Sequence, residues 1–315
     1  MTKRRGLEER LAELNDLRGD PSSDLAIEKL RQALASKINH LAAEAATITG
    51  ESEIRQLEDD LIEAFDRFML DPAKTDPLCV AKTAIAEALY RLGARRESLF
   101  LRGIHHVQLE PGFGRKEDAA AKLRVACAMG LVRSNYRDVM IELADLLADE
   151  ETDARIGAVR AIGYAQQGAG VPLLRFKSLI GDPETRVSYE CFSSLLRLSP
   201  ESSLPFVARF LNAEDVAVSK VAALALGESQ LTEAFYVLKA GWESATDDAL
   251  RRAELLAIAM LRHERAIDFL LSLVADASPA DARDGLTALE IHRRDEELWA
   301  RVEQIVKARE DVDLS

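Results

Sequence analysis

The sequence predicts an all-α fold, an α-α superhelix in the form of a right-handed solenoid of helix pairs, and three observations predict it. First, small or apolar pairs recur at one phase: Met129-Gly130, Ile162-Gly163, Ser194-Leu195, Leu226-Gly227 and Ile258-Ala259, the second members spaced by 33, 32, 32 and 32 residues. A fixed period of this size marks a stacked array in which each unit buries its apolar face on the next. Second, each period carries apolar residues at helical spacing on both sides of an acidic turn. Third, aromatics make up only 5% of the chain while Ala and Leu abound. That composition suits helices packed through small and branched side chains better than a sheet of Val, Ile and Tyr.

The elements are read in chain order. Residues 1–57 do not follow the repeat and are expected to form an N-terminal helical cap. Ile27, Leu30, Leu34, Ile38, Leu41, Ala45 and Ile48 fall at spacings of three and four and predict one long helix with a single apolar stripe. A solenoid needs its open end covered, and such a helix covers it. Residues 58–293 are the repeat array, with an early copy ending at Leu92-Gly93. The interval from Gly93 to Gly130 is 37 residues, so about five are inserted, most simply within 107–116.

The clearest copy runs Asp138 to Leu147, breaks at Asp149-Glu150-Glu151-Thr152-Asp153, and resumes from Ala154 to Gly163. The break is rich in residues that cap helix N-termini. Gly157, Ala158 and Ala161 are small enough for a neighbouring helix to approach closely. Pro172 and Pro205 are each expected in the first turn of a first helix, where a missing N–H costs nothing. Gly181-Asp182-Pro183-Glu184 and Asn212-Ala213-Glu214-Asp215 are turns, and looser copies cover Glu233 to Met260 and Ala266 to about Ile291. Residues 294–315 are read as a C-terminal capping helix, containing Trp299 and Val302, and a tail.

The bulk properties exclude some functions. Fifty-four acidic and 41 basic residues give a net charge of −13, which repels nucleic acid and anionic lipid over most of the surface. The three cysteines are widely spaced without a CxxC, so neither a disulfide framework nor a zinc ribbon is indicated. The basic start Met1-Thr2-Lys3-Arg4-Arg5 lacks the apolar run of a signal peptide, and no 18-residue apolar stretch exists to span a membrane. A reduced, cytoplasmic protein is the expectation.

Leu179-Ile180-Gly181-Asp182-Pro183-Glu184-Thr185-Arg186-Val187, and Leu146-Leu147-Ala148-Asp149 leading to Ala154-Arg155, carry a family resemblance. The chain resembles HEAT repeats, in particular the short bacterial HEAT-like type named after phycobilisome lyases. The family pattern is an Asp-Pro turn, then Val-Arg, then Ala, then Leu-Gly. Here the Val-Arg pair reads Ala121-Lys122, Ala154-Arg155, Leu250-Arg251 and Ala282-Arg283, and departs to Val187-Ser188 and Val218-Ser219. The resemblance covers roughly residues 60–291. It implies a binding scaffold whose second helices line a concave surface.

The recurring cations Lys122, Arg155, Arg251 and Arg283 admit two readings. They form an inner basic ladder for an acidic partner, or each pairs with turn acids such as Asp149, Asp182 and Asp215. The second is preferred, because guanidinium groups suit bidentate contacts to carboxylates. Candidate binding residues on the second helices are Arg155, Arg160, Tyr189, Lys220 and Arg252, beside Tyr164, Glu190, Phe192 and Glu254. The insertion adds His105 and His106, which with Glu110 are the one cluster resembling metal ligands; adjacent histidines point apart, so no metal is assigned. Gly112-Phe113-Gly114-Arg115-Lys116 lacks the spacing and preceding strand of a phosphate loop and is read as a turn. His263-Glu264 is not an HExxH motif, because position 267 is Ile267. No catalytic residue and no cofactor is nominated.

The preferred expectation is a non-enzymatic scaffold binding a protein or peptide partner through its concave surface. The alternatives come only from resemblance. One is a nucleic-acid enzyme similar to HEAT-like alkylpurine DNA glycosylases, which would need a groove Trp/Asp pair; Trp242 is read in a turn and Trp299 near the end. The other is a bilin lyase or chaperone-like protein.

Overall fold

The computed structural model describes residues 2–112, 114 and 116–309. They form nineteen α-helices and one short hairpin, and they divide after Ala165 into two compact units.

The first unit holds α1 (Thr2–Asp16), α2 (Asp24–Leu34), α3 (Asn39–Glu51), α4 (Glu58–Phe68), the single turn α5 (Pro72–Thr75), α6 (Val80–Leu92) and α7 (Glu97–Ile104). The hairpin β1 (Leu109–Pro111) and β2 (Lys116–Asp118) follows, then α8 (Ala121–Arg133), α9 (Val139–Leu146) and α10 (Thr152–Ala165). Among these, α3, α6, α8 and α10 pack in a row, each on the next. The partner helices α2, α4, α7 and α9 lie against them. Gly93, at φ +67°, ends α6 in the left-handed region that favours glycine.

The predicted long N-terminal helix is two helices. Six of its seven apolar positions fall on the core side, with Ile27, Leu30, Leu34, Leu41, Ala45 and Ile48 buried, whereas Ile38, in the break between the helices, is 38% exposed. Helical geometry nonetheless stops at Leu34 and resumes at Asn39. In between, the Ser36 hydroxyl accepts from the Ile38 N–H, and the Asn39 amide donates to Asp76 Oδ1 and the Pro77 carbonyl. Local side-chain bonds compete with the helix there, and a stripe at 3–4 spacing continues across the break because both helices face the same core. The α2–α3 hairpin thus packs as a further helix pair, with α3 against α6.

The second unit holds α11 (Gly170–Ile180), α12 (Thr185–Leu198), α13 (Pro200–Ala208), α14 (Val216–Glu228), α15 (Ala234–Ser244), α16 (Asp248–Met260), α17 (Glu264–Asp276), α18 (Pro279–Leu289) and α19 (Glu296–Lys307). Here α12, α14, α16 and α18 stack in sequence, with α11, α13, α15 and α17 against them and α19 against α17. Asp215, Asp247, Ser278 and Asp295 cap the helices that follow them by accepting backbone N–H groups. The approach of α14 to α16 requires Gly227, because a Cβ there would lie 2.5 Å from the Ala257 carbonyl oxygen.

Two local expectations are corrected. Pro205 is inside α13 rather than in its first turn, which is set by Pro200. Trp242 is on α15 and buried, not in a turn.

Candidate functional site

One position in each second helix decides what its cations do. In α6, α8, α10, α12, α14, α16 and α18 the third or fourth residue is Lys82, Arg124, Arg155, Ser188, Ser219, Arg251 and Ala282, and all but the half-buried Arg251 are buried. This position faces the turn that joins the pair.

In the first unit it is a lock. Asp76 and Lys82, both 0% exposed, pair at 3.0 Å. Asp76 also accepts the backbone N–H groups of Ala81 and Lys82, so the carboxylate caps α6 while it neutralises the ammonium. One repeat on, Arg124 is 3% exposed and bridges Asp118 and Asp149 while donating to the His106 carbonyl. Burial works against ionisation of Asp118, but N–H groups of Gln108 and Ala120 and then Arg124 hold its carboxyl below the usual range. Arg155 is 7% exposed and donates to the Asp149 and Glu150 carbonyls.

These residues place the sequence candidates. Arg155 is committed to holding a turn and offers little surface to a partner. The residue equivalent to it in α8 is Arg124, not Lys122, which is exposed on the far side of the register. Reading Ala121-Lys122 as the family pair missed Arg124 and Lys82, although the interval from Arg124 to Arg155 is within two residues of the repeat period. Arg251 behaves as a lock too, donating to Asp281 and the Trp242 carbonyl with its guanidinium 4.5 Å over the Trp242 ring.

The insertion contains the β1–β2 hairpin, and the glycine-rich segment lies between its two strands. Phe113 and Arg115 of the glycine-rich segment lie outside the described residues. Gln108 ties the hairpin root to α6 by donating to the Asp76 carbonyl and to Glu110, which also accepts from the Leu78 N–H. His105 is 59% exposed and pairs with Glu142 at 2.8 Å. His106 is half-buried, with Nε2 beside Gln108 Oε1, and burial lowers its pKa. His106 and Glu110 both engage the Gln108 amide while His105 turns to Glu142, so the three do not converge on one point. His105, Arg124, Glu142, Asp145 and Asp149 line a hollow of about 200 Å³.

In the second unit each second helix leaves one stripe in contact with solvent. It comprises Arg186, Tyr189, Glu190, Ser193 and Arg197 on α12, and Ala217, Lys220, Leu224 and Glu228 on α14. On α16 it comprises Ala249, Arg252, Ala253, Leu256 and Met260, and on α18 Ala280, Arg283 and Thr287. The Tyr189 hydroxyl and Ser193 both donate to Glu228. Burial, then the hydrogen bond to Glu228 and its charge, pushes the Tyr189 phenol up to about 12. Phe192, one of the aromatic candidates, is fully buried against Phe210. Ser193, Arg197, Glu228 and Ser229 line a pocket of about 370 Å³. Arg160, on α10 of the first unit, is exposed.

Glu254, another candidate, is buried at 0% exposure on α16. Neither of its carboxylate oxygens has a hydrogen-bond partner. It presses on Gly241, where a Cβ would lie 2.4 Å from Oε1. Burial lifts its pKa to about 7 against the pull of Arg251.

The family model for HEAT repeats matches residues 171–259, which span α11 to α16. This stretch is an array of HEAT repeats. Solved structures similar to the chain include human deoxyhypusine hydroxylase in complex with glycerol, at 17% identity and a TM-score of 0.33, covering 82% of this chain and 99% of that one. Another is the complex of CpcE and CpcF of phycocyanin lyase from a Nostoc species, at 16% identity and a TM-score of 0.36, covering 75% and 91%. No curated protein matches the chain by sequence. Among the described residues no helix is long and apolar enough to cross a membrane.

Proposed function

We propose that the chain is a non-enzymatic HEAT-repeat scaffold that binds a protein or peptide partner through the stripe exposed on its second helices, the face that is concave in HEAT arrays. The observation that carries this reading is the contrast between used and unused cations. Lys82, Arg124, Arg155 and Arg251 are spent on turns, whereas Lys220 and Arg252 stand on the stripe and make neither ion pair nor hydrogen bond through their side chains among the described residues. Tyr189 adds a ring whose hydroxyl is held by Glu228. Rigid helices carry all of them, so little ordering entropy opposes association. Aromatic and Arg side chains on such a face are the residue types that dominate protein interfaces.

Affinity capture from lysate tests the reading, with the intact chain and a Lys220→Glu/Arg252→Glu variant compared side by side. The scaffold reading expects one or more proteins retained by the intact chain and lost from the variant, with helical content unchanged. Retention of the same proteins by both would remove this face from the account. Nucleic acid in the eluate would favour a polyanion-binding role instead.

A further inference from the structure

We propose that Lys220, Arg252 and Arg283 form a docking row for an acidic protein segment in polyproline II conformation, with a carboxylate at every third residue. This rests on the scaffold reading above and names the chemistry of its partner.

The row follows from the register. Ser219, Arg251 and Ala282 occupy the turn-facing position of α14, α16 and α18, and the residue after each is a cation. Arg252 and Arg283 are exposed and Lys220 is half-exposed. None makes an ion pair or a side-chain hydrogen bond among the described residues. At the same position of α12 stands Tyr189, bound to Glu228, so the row ends there in a neutral ring. In the first unit that position holds Thr83, Val125 and Ile156. The cations therefore run across three adjacent helices and no further.

Spacing selects the ligand. Packed helices lie about 8–10 Å apart, so the cations recur at roughly that interval. A polyproline II strand has three residues per turn and rises about 3.1 Å per residue, which returns a side chain to the same face every ~9.3 Å. A β-strand alternates faces, so every third residue points away from the row. Small residues surround the cations: Ala217, Ala249, Ala253 and Ala280 lie within one turn of them on the same stripes. Leu224 and Leu256, one turn after Lys220 and Arg252 and both half-buried, are larger apolar side chains beside them and offer contacts for proline rings. A thin, extended backbone can settle on that floor while its carbonyls stay solvated. Charge agrees: on a chain of net charge −13, a row of three uncompensated cations is a local exception. The acids beside the row are Asp284, next to Arg283, and Asp248, one turn before Arg252, and neither pairs with a row cation among the described residues. Duplex DNA, with a charge about every 1.7 Å of axis, would meet repulsion from the rest of the surface.

The test is a fluorescence anisotropy titration of the full chain with a labelled (Glu-Pro-Pro)4 peptide. Its controls are (Lys-Pro-Pro)4 and a peptide of the same composition with its four glutamates consecutive. Saturable binding of (Glu-Pro-Pro)4, weaker binding of the clustered peptide and none of the lysine peptide are expected. Lys220→Gln, Arg252→Gln and Arg283→Gln should each weaken binding about twofold to fivefold, and the triple variant by roughly tenfold or more, with circular dichroism unchanged. Binding unaffected by the triple variant, equal binding of the clustered peptide, or no binding of (Glu-Pro-Pro)4 by the intact chain would overturn the proposal. Should the last occur while the Lys220→Glu/Arg252→Glu variant still loses captured proteins, the scaffold reading stands and only the acidic polyproline II ligand falls.

Discussion

The two units use the same repeat position in opposite ways. In the first, the turn-facing residue of α6, α8 and α10 is a buried cation, Lys82, Arg124 or Arg155, locked onto the turn. In the second, α12, α14 and α18 carry Ser188, Ser219 and Ala282 there, and only Arg251 keeps a lock, on Asp281. The positive charge has moved one residue along the helix, to Lys220, Arg252 and Arg283, and from the interior to solvent. A helix turns 100° per residue, so one step suffices to take a side chain out of the turn and onto the stripe. The comparison teaches that a periodic cation is structural or functional according to its register, not its presence.

The sharpest way to break the comparison is to remove one side of a buried lock. Asp76→Ala leaves the Lys82 ammonium uncompensated at 0% exposure, and should cost about 3–5 kcal/mol in denaturant unfolding. Ser219→Ala, at the equivalent place in α14, loses only a long contact to the Ala213 carbonyl and should cost about 1 kcal/mol or less. Equal costs would mean that the turns are held by something other than these locks.

Glu254 sharpens the contrast, since it is the second unit's buried carboxylate without a cation on its oxygens. Its folded pKa is raised to about 7 from an ordinary value near 4.5. Below 4.5 folded and unfolded chains are both protonated and no penalty exists. As pH rises from 4.5 towards 7 the unfolded state releases its proton first, so stability falls, and above about 7 the loss is complete. Glu254→Gln should flatten that slope, worth on the order of 2–3 kcal/mol, and leave the variant more stable than the parent at pH 8. A parent whose stability does not fall between pH 5 and 7 would contradict the burial of this carboxyl in ionisable form.

Gly227→Ala tests the close approach that sets the stripes side by side. Its Cβ would meet backbone atoms of Ala257, which cannot swing away, so a loss of about 1–3 kcal/mol is expected by thermal unfolding. The smallest effect belongs to the row itself: Lys220→Gln, Arg252→Gln and Arg283→Gln together should change stability by no more than about 0.5 kcal/mol per site.

Much of the array was legible in the sequence because its period is a packing period. Gly227 recurs at the phase of Gly130 since a Cβ at either would collide with a neighbouring helix, and Asp149, Asp182 and Asp215 sit in turns since turns need caps. The break at 35–38 was not legible, because Ile27 to Ile48 keep one apolar phase across two helices and the interrupting bonds reach Asp76, far along the chain. The locks were half legible. Arg155 was visible as a repeat cation, but Arg124 was hidden behind Lys122, a cation two residues nearer the start of the same helix. The surface row was visible only in part, with Lys220 and Arg252 singled out and Arg283 assigned to the turn, because one residue of register separates the two fates.

The central claim is that cations one residue beyond the turn-facing position serve binding and not folding. The most direct test measures thermal unfolding and (Glu-Pro-Pro)4 binding on one preparation of the Lys220→Gln/Arg252→Gln/Arg283→Gln variant. The account predicts a melting temperature within about 2–4 °C of the parent and affinity reduced roughly tenfold or more. A variant that melts many degrees lower, or one that binds the peptide as the parent does, would contradict it.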